Sequence, residues 1–125
     1  MSIPSSLRTW FLIHFSVDYF FGIPLLFFPQ WTLLFFGFGT IENFTVRLVG
    51  AALLAIGGIS LLARNETKEV YVVLLRLKLL WSGSAIVAIM LSLFQGAQKN
   101  LWLFLSIFIF FFFLWGYYLR KLVKK

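Results

Sequence analysis

The run VYVVLLRLKLLWSGSAIVAIMLSLF, residues 70–94, decides the fold. It is too long and too apolar for the surface helix of a soluble domain. Spanning the roughly 30 Å hydrocarbon layer of a bilayer takes about 20 helical residues at about 1.5 Å each. Only Arg76 and Lys78 are charged in this run, and Lys78 stands near its middle. A lone ammonium at that depth costs from about 2.5 to over about 10 kcal/mol, so it needs a partner or a polar lining.

Three further runs have the same character: residues 10–28, 44–62 and 101–119. Strands of a membrane barrel would alternate apolar and polar residues over about ten positions, whereas these runs are apolar throughout. Composition agrees, because 62% hydrophobic, 21% aromatic and 12% charged residues leave too little polar surface to cover a soluble domain of 125 residues. The expectation is one all-α domain, residues 1–125, forming an integral membrane four-helix bundle. The absence of cysteine rules out disulfides and thiolate metal sites within the sequence. The first apolar run carries His14 and Asp18 and exceeds the core of a signal peptide, so it is expected to remain in the mature protein.

Along the chain, Ser5 or Ser6 is positioned to cap the first helix and Trp10 marks the interface. Pro24, lacking an N–H, should kink that helix near its far end. Residues 29–39 (PQWTLLFFGFG) are too short to span and too apolar for a solvated loop, so a short interfacial helix or re-entrant turn is expected, with Trp31 at headgroup level. Residues 40–43 offer cap-type side chains, among them Thr40 and Asn43. The second span is rich in Gly50, Ala51, Ala52, Ala55, Gly57 and Gly58, and small residues are how helices approach closely in lipid. That places it at the bundle centre. The polar loop ARNETKE, residues 63–69, is short enough to make the second and third spans antiparallel neighbours, and residues 95–100 form a turn. The fourth span, with Phe104, Phe108 and a run of phenylalanines at 110–113, reads as a surface for lipid or for a partner subunit.

Four spans put both termini and the polar loop on one side, which collects Arg8, Arg64, Lys68, Arg120, Lys121, Lys124 and Lys125. By the positive-inside rule the N- and C-termini face the cytoplasm. The net charge of +7 is then a topology signal, with no nucleic-acid partner implied. The basic C-terminus can also meet anionic lipid, at about 1 kcal/mol per charge near the surface.

Depth sorts the candidate site residues. Asp18 lies eight residues beyond Trp10 and Lys78 eight beyond Val70, about 12 Å inside the same boundary, so the two are expected to meet. His14 is one turn from Asp18 and Ser82 one turn from Lys78. His14, Asp18, Lys78 and Ser82 thus outline a buried polar centre, either a structural bridge or a site for a ligand, proton or substrate. Arg47 can snorkel outward, reach Glu42, or point inward along the face of Gly50, Ala51, Leu54 and Gly58; the inward direction is the expectation. Arg76 is expected to snorkel or to pair with Glu69 or Glu66. The single histidine cannot build a four-ligand zinc site, so no metal site is expected, but a haem needs only one or two axial ligands, which makes His14 a candidate for that role. No catalytic motif is present. The glycosylation-type triplets at Asn43 and Asn65 lie too close to the membrane to count.

The stretch RLVGAALLAIGG, residues 47–58, together with the four-helix length and spacing, resembles small DoxX-like membrane proteins of bacteria and archaea. The resemblance implies the four-helix fold, draws attention to Arg47, and links some members to redox or quinone-associated membrane complexes. Three functions are weighed. A non-enzymatic accessory or scaffold subunit, partnered by another membrane protein or by itself, comes first. A small transporter or lipid- or anion-binding protein with a pocket between the first three spans is second, and a haem or redox enzyme using His14 third. A dual-topology drug exporter fits poorly with basic residues so one-sided.

Overall fold

The computed structural model describes residues 3–39 and 41–124. Thr40 and Lys125, named above for capping and for the basic tail, lie outside the described residues. The chain is all-α: α1 (Ser5–Phe27), α2 (Pro29–Phe35), α3 (Asn43–Leu62), α4 (Lys68–Phe94) and α5 (Leu101–Val123), with no strand among the described residues. All but α2 are long and apolar enough to cross a membrane, and the protein is an integral membrane protein. Most of its large exposed side chains are apolar, among them Phe20, Leu80, Phe94 and Phe113, as lipid requires and water would not tolerate.

The helix ends follow local chemistry, and several differ from the sequence expectation. Ser5 and Ser6 lie inside the first turn of α1, whose cap is Pro4, with no side-chain capping bond. A proline with fixed φ sets the entry to the helix there without a hydroxyl. Helix α1 runs through Pro24 and stops at Phe27, because Phe28 precedes Pro29 and is held out of the helical region at φ −132°, ψ 60°. Pro29 opens α2 at the position where a missing N–H costs nothing. The interfacial segment is therefore a short helix with Trp31, Leu34 and Phe35 exposed and Thr32 and Leu33 buried. It closes at Gly37, φ +81°, with Phe38 N–H on the Leu33 carbonyl (2.8 Å) and Gly37 N–H on Leu34 (3.0 Å), a Schellman ending that favours glycine. Gly96, φ +88°, ends α4 in the same way.

Asn43 proves to be the first residue of α3 and not its cap; its side chain accepts from Gln30 Nε2 at 2.6 Å. Thr67 caps α4 by accepting from Val70 N–H. Helix α5 extends four residues past the expected 119, so Arg120 and Lys121 sit on its last turn, where cations oppose the helix dipole.

The helices group into two compact units, Ile3–Glu66 and the chain from Thr67 onward. In the first, α1 and α3 pack antiparallel: Gly22 meets Gly50, Asp18 meets Gly57, and Arg8 reaches the carbonyl of Arg64. A Cβ on Gly50 would lie 2.8 Å from Leu26 N and 2.9 Å from the Gly22 carbonyl oxygen, so the two backbones touch. The buried stripe of α3 is Val46, Gly50, Leu53, Gly57 and Ser60. It is turned from the expected face, for Ala51 is exposed. In the second unit, α4 and α5 are likewise antiparallel, with Leu79 beside Gly116 and Phe112 beside Gly83.

Candidate functional site

The first polar site belongs to the α1–α3 hairpin. Helix α1 buries Leu7, Phe11, His14, Asp18 and Gly22, an i, i+4, i+7 sequence that places the imidazole and the carboxylate on one line. His14 Nε2 lies 3.3 Å from Asp18 Oδ2, and the residues are only 4% and 5% exposed. Gly57 of α3 makes the room. A Cβ there would stand 2.6 Å from Asp18 Cβ and 3.2 Å from Oδ2, so any larger residue would evict the carboxylate or part the helices. Ser60, fully buried on the same stripe, donates to the Ile56 carbonyl at 3.1 Å. An acid and an imidazole at this distance can share a proton or hold a cationic group.

The second site belongs to α4 and α5. Lys78 is 1% exposed, and its Nζ lies 4.9 Å from the centroid of the Trp115 ring, itself 1% exposed. A desolvated cation over the electron-rich face of an indole is worth about 2 kcal/mol or more. Ser82 turns its hydroxyl back to the Lys78 carbonyl at 2.7 Å, which satisfies the group inside its own helix. Tyr71, Leu74 and Leu75 complete the buried face of α4. Trp81, one residue off that face, sets its ring edge-on to Phe108 at 5.9 Å, and its buried indole N–H has no hydrogen-bond acceptor among the described residues.

Helix α5 is therefore more than the surface for lipid or a partner subunit that its sequence suggests. Its buried line Leu105, Phe111, Trp115, Tyr118 and Leu122 faces inward, and Trp115 is the ring against Lys78. The signal was present in the i, i+4, i+7 spacing of Phe111, Trp115 and Tyr118, but the surrounding phenylalanines hid it.

Arg47 does not point inward. It is exposed, and its Nε donates to the Leu26 carbonyl at 3.1 Å, one of the orphan carbonyls ending α1. The reason is the rotation of α3, which buries Val46 and Gly50 and leaves position 47 off the stripe. Glu42 accepts instead from Thr45 Oγ1 at 3.1 Å. Arg76 is exposed. Among the described residues no three His, Cys, Asp or Glu side chains gather as a metal site. His14, Asp18 and Arg47 belong to one compact unit, Lys78 and Ser82 to the other. No protein-family model, no curated protein and no solved structure matches this chain.

Proposed function

We propose that this protein is a non-enzymatic accessory or scaffold subunit of a membrane complex. One observation carries the reading: His14, Asp18, Lys78 and Ser82 are each 5% exposed or less. Polar groups at membrane depth that are sealed from solvent and engaged with neighbouring side chains or their own backbone hold helices in register, whereas a transport site needs a path for its cargo. A likeness to DoxX-like proteins, read from residues 47–58, belongs to the same proposal. So does the orientation with both termini cytoplasmic. It is supported by Arg8 and Arg64 at one end of the α1–α3 hairpin, and by Lys68, Arg120, Lys121 and Lys124 at one end of the α4–α5 hairpin with Lys99 at the other.

Intramembrane ionisable residues also favour a second reading, a small carrier of protons or charged solutes. The haem reading draws no support from His14, since the Nε2 that would ligate iron is the nitrogen facing Asp18. Extraction in mild detergent followed by native mass spectrometry separates the first two. The accessory role predicts co-extraction with a second, different polypeptide, unchanged in Asp18→Asn. A protein that carries no other polypeptide but a specific small molecule, lost in Asp18→Asn or Lys78→Met, would overturn it in favour of the carrier.

A further inference from the structure

Arg47 is turned outward, and no described carboxylate neutralises it. Its Nε donates to the Leu26 carbonyl at 3.1 Å, while the two terminal nitrogens, which carry the rest of its N–H groups, have no acceptor among the described residues. The sequence holds four carboxylate side chains. Asp18 is buried beside Gly57, ten residues or about 15 Å further along α3. Glu66 and Glu69 follow the far end of α3 at Leu62. Only Glu42 is near in sequence, and it accepts from Thr45 Oγ1 and forms no ion pair with Arg47. The counter-anion therefore comes from outside these residues.

Depth and surroundings identify that anion. Helix α3 has 20 residues, about 30 Å of helix, and so matches the hydrocarbon layer with little to spare. Arg47 stands four residues inside its first, Asn43, about 6 Å below that edge, and the bond to Leu26 keeps the guanidinium from rising freely into water. A hydrated small anion loses its water on entering this layer, whereas the phosphodiester of a phospholipid lies at its border and brings acyl chains with it. Those chains have an apolar surface to meet: Phe44, one turn before Arg47, and Leu48, next to it, are 67% and 58% exposed. A planar guanidinium with its terminal nitrogens open matches two phosphate oxygens in one plane. We propose that Arg47 binds the phosphodiester of a phospholipid in the leaflet opposite the N-terminus, with the Leu26 carbonyl holding the fork in position. The site is independent of the accessory role, so Asp18→Asn and Lys78→Met should leave it intact.

Dioleoylphosphatidylcholine is the probe, because its net charge of zero gives the basic C-terminus little hold on it. Delipidated protein in a neutral maltoside detergent is titrated with it and read by native mass spectrometry. The first lipid should bind the parent about tenfold or more tightly than Arg47→Gln. Arg76→Gln, which removes an exposed arginine from α4, should match the parent. Arg47→Lys keeps the charge but loses the fork, so it should fall between. Dioleoylglycerol, which lacks the phosphate, should bind parent and Arg47→Gln equally. In native membranes a photoreactive residue at position 48, with Arg47 retained, should capture phospholipid. Equal uptake of the phosphatidylcholine by parent and Arg47→Gln would overturn the proposal. So would release of the first lipid by excess inorganic phosphate, which would mark a free-anion site, or capture of a polypeptide and no phospholipid at position 48.

Discussion

Gly57→Ala tests a close approach of α1 and α3. The added methyl would stand 2.6 Å from Asp18 Cβ, 3.2 Å from Asp18 Oδ2 and 3.3 Å from Tyr19 Cδ1. Carbon atoms rest at about 3.5–4.0 Å, so the overlap with Asp18 is about 1 Å. Asp18 Cβ is tethered to the α1 backbone and cannot swing aside, so α1 and α3 must move apart. Overpacking of this kind costs about 1–3 kcal/mol, occasionally more. Removing a helix glycine returns about 0.8–1.0 kcal/mol. The net expectation is a loss of up to about 2 kcal/mol, with the His14–Asp18 contact disturbed. Gly116→Ala is the internal control: its methyl would meet Leu79 Cδ2 at an ordinary 3.8 Å, so only the propensity gain of up to about 1 kcal/mol remains. Reversible unfolding in mixed micelles, followed by the fluorescence of the five tryptophans, reads both. If Gly57→Ala is as stable as Gly116→Ala, the close packing of α1 on α3 is wrong.

Further expectations follow from the same geometry. Trp115→Leu should destabilise by about 2 kcal/mol or more through loss of the ring over Lys78, and Trp115→Phe by less; equal losses in unfolding titrations would mean that the ring acts only as bulk. Arg47→Ala should leave α3 intact but speed amide exchange around the end of α1, since a hydrogen bond from a charged donor to the Leu26 carbonyl is worth about 1.5–3 kcal/mol; unchanged exchange there would remove Arg47 from its capping role. Cysteine at Lys99 should react with an impermeant reagent from outside the cell, and cysteine at Lys124 only after permeabilisation; the opposite pattern would invert the proposed orientation.

The membrane assignment, the count of four spans and the presence of a short helix between the first two were legible because they depend on length and composition. Hydrocarbon about 30 Å thick accepts only internally bonded backbone, so a long apolar run has essentially one outcome whatever surrounds it. Capping was less legible. Ser5, Ser6 and Asn43 are good capping residues, yet Pro4 and Glu42 stand at those positions, because entry geometry and not side-chain preference set the helix starts.

Rotation about the helix axes was not legible at all. In a span apolar on every side no hydrophobic stripe marks the inner face, so choosing between Gly50–Leu53–Gly57 and Gly50–Ala51–Leu54–Gly58 needs the neighbouring helix. That choice turned Arg47 outward to the Leu26 carbonyl. It also set Gly57 against Asp18 and drew Trp115 out of a phenylalanine-rich surface to cover Lys78. The sequence by itself determined that this chain lives in a membrane and that His14, Asp18 and Lys78 must be accommodated there. Which atoms accommodate them was decided by tertiary packing, because close contact in lipid depends on shape at the scale of a methyl group, and hydropathy carries no record of shape.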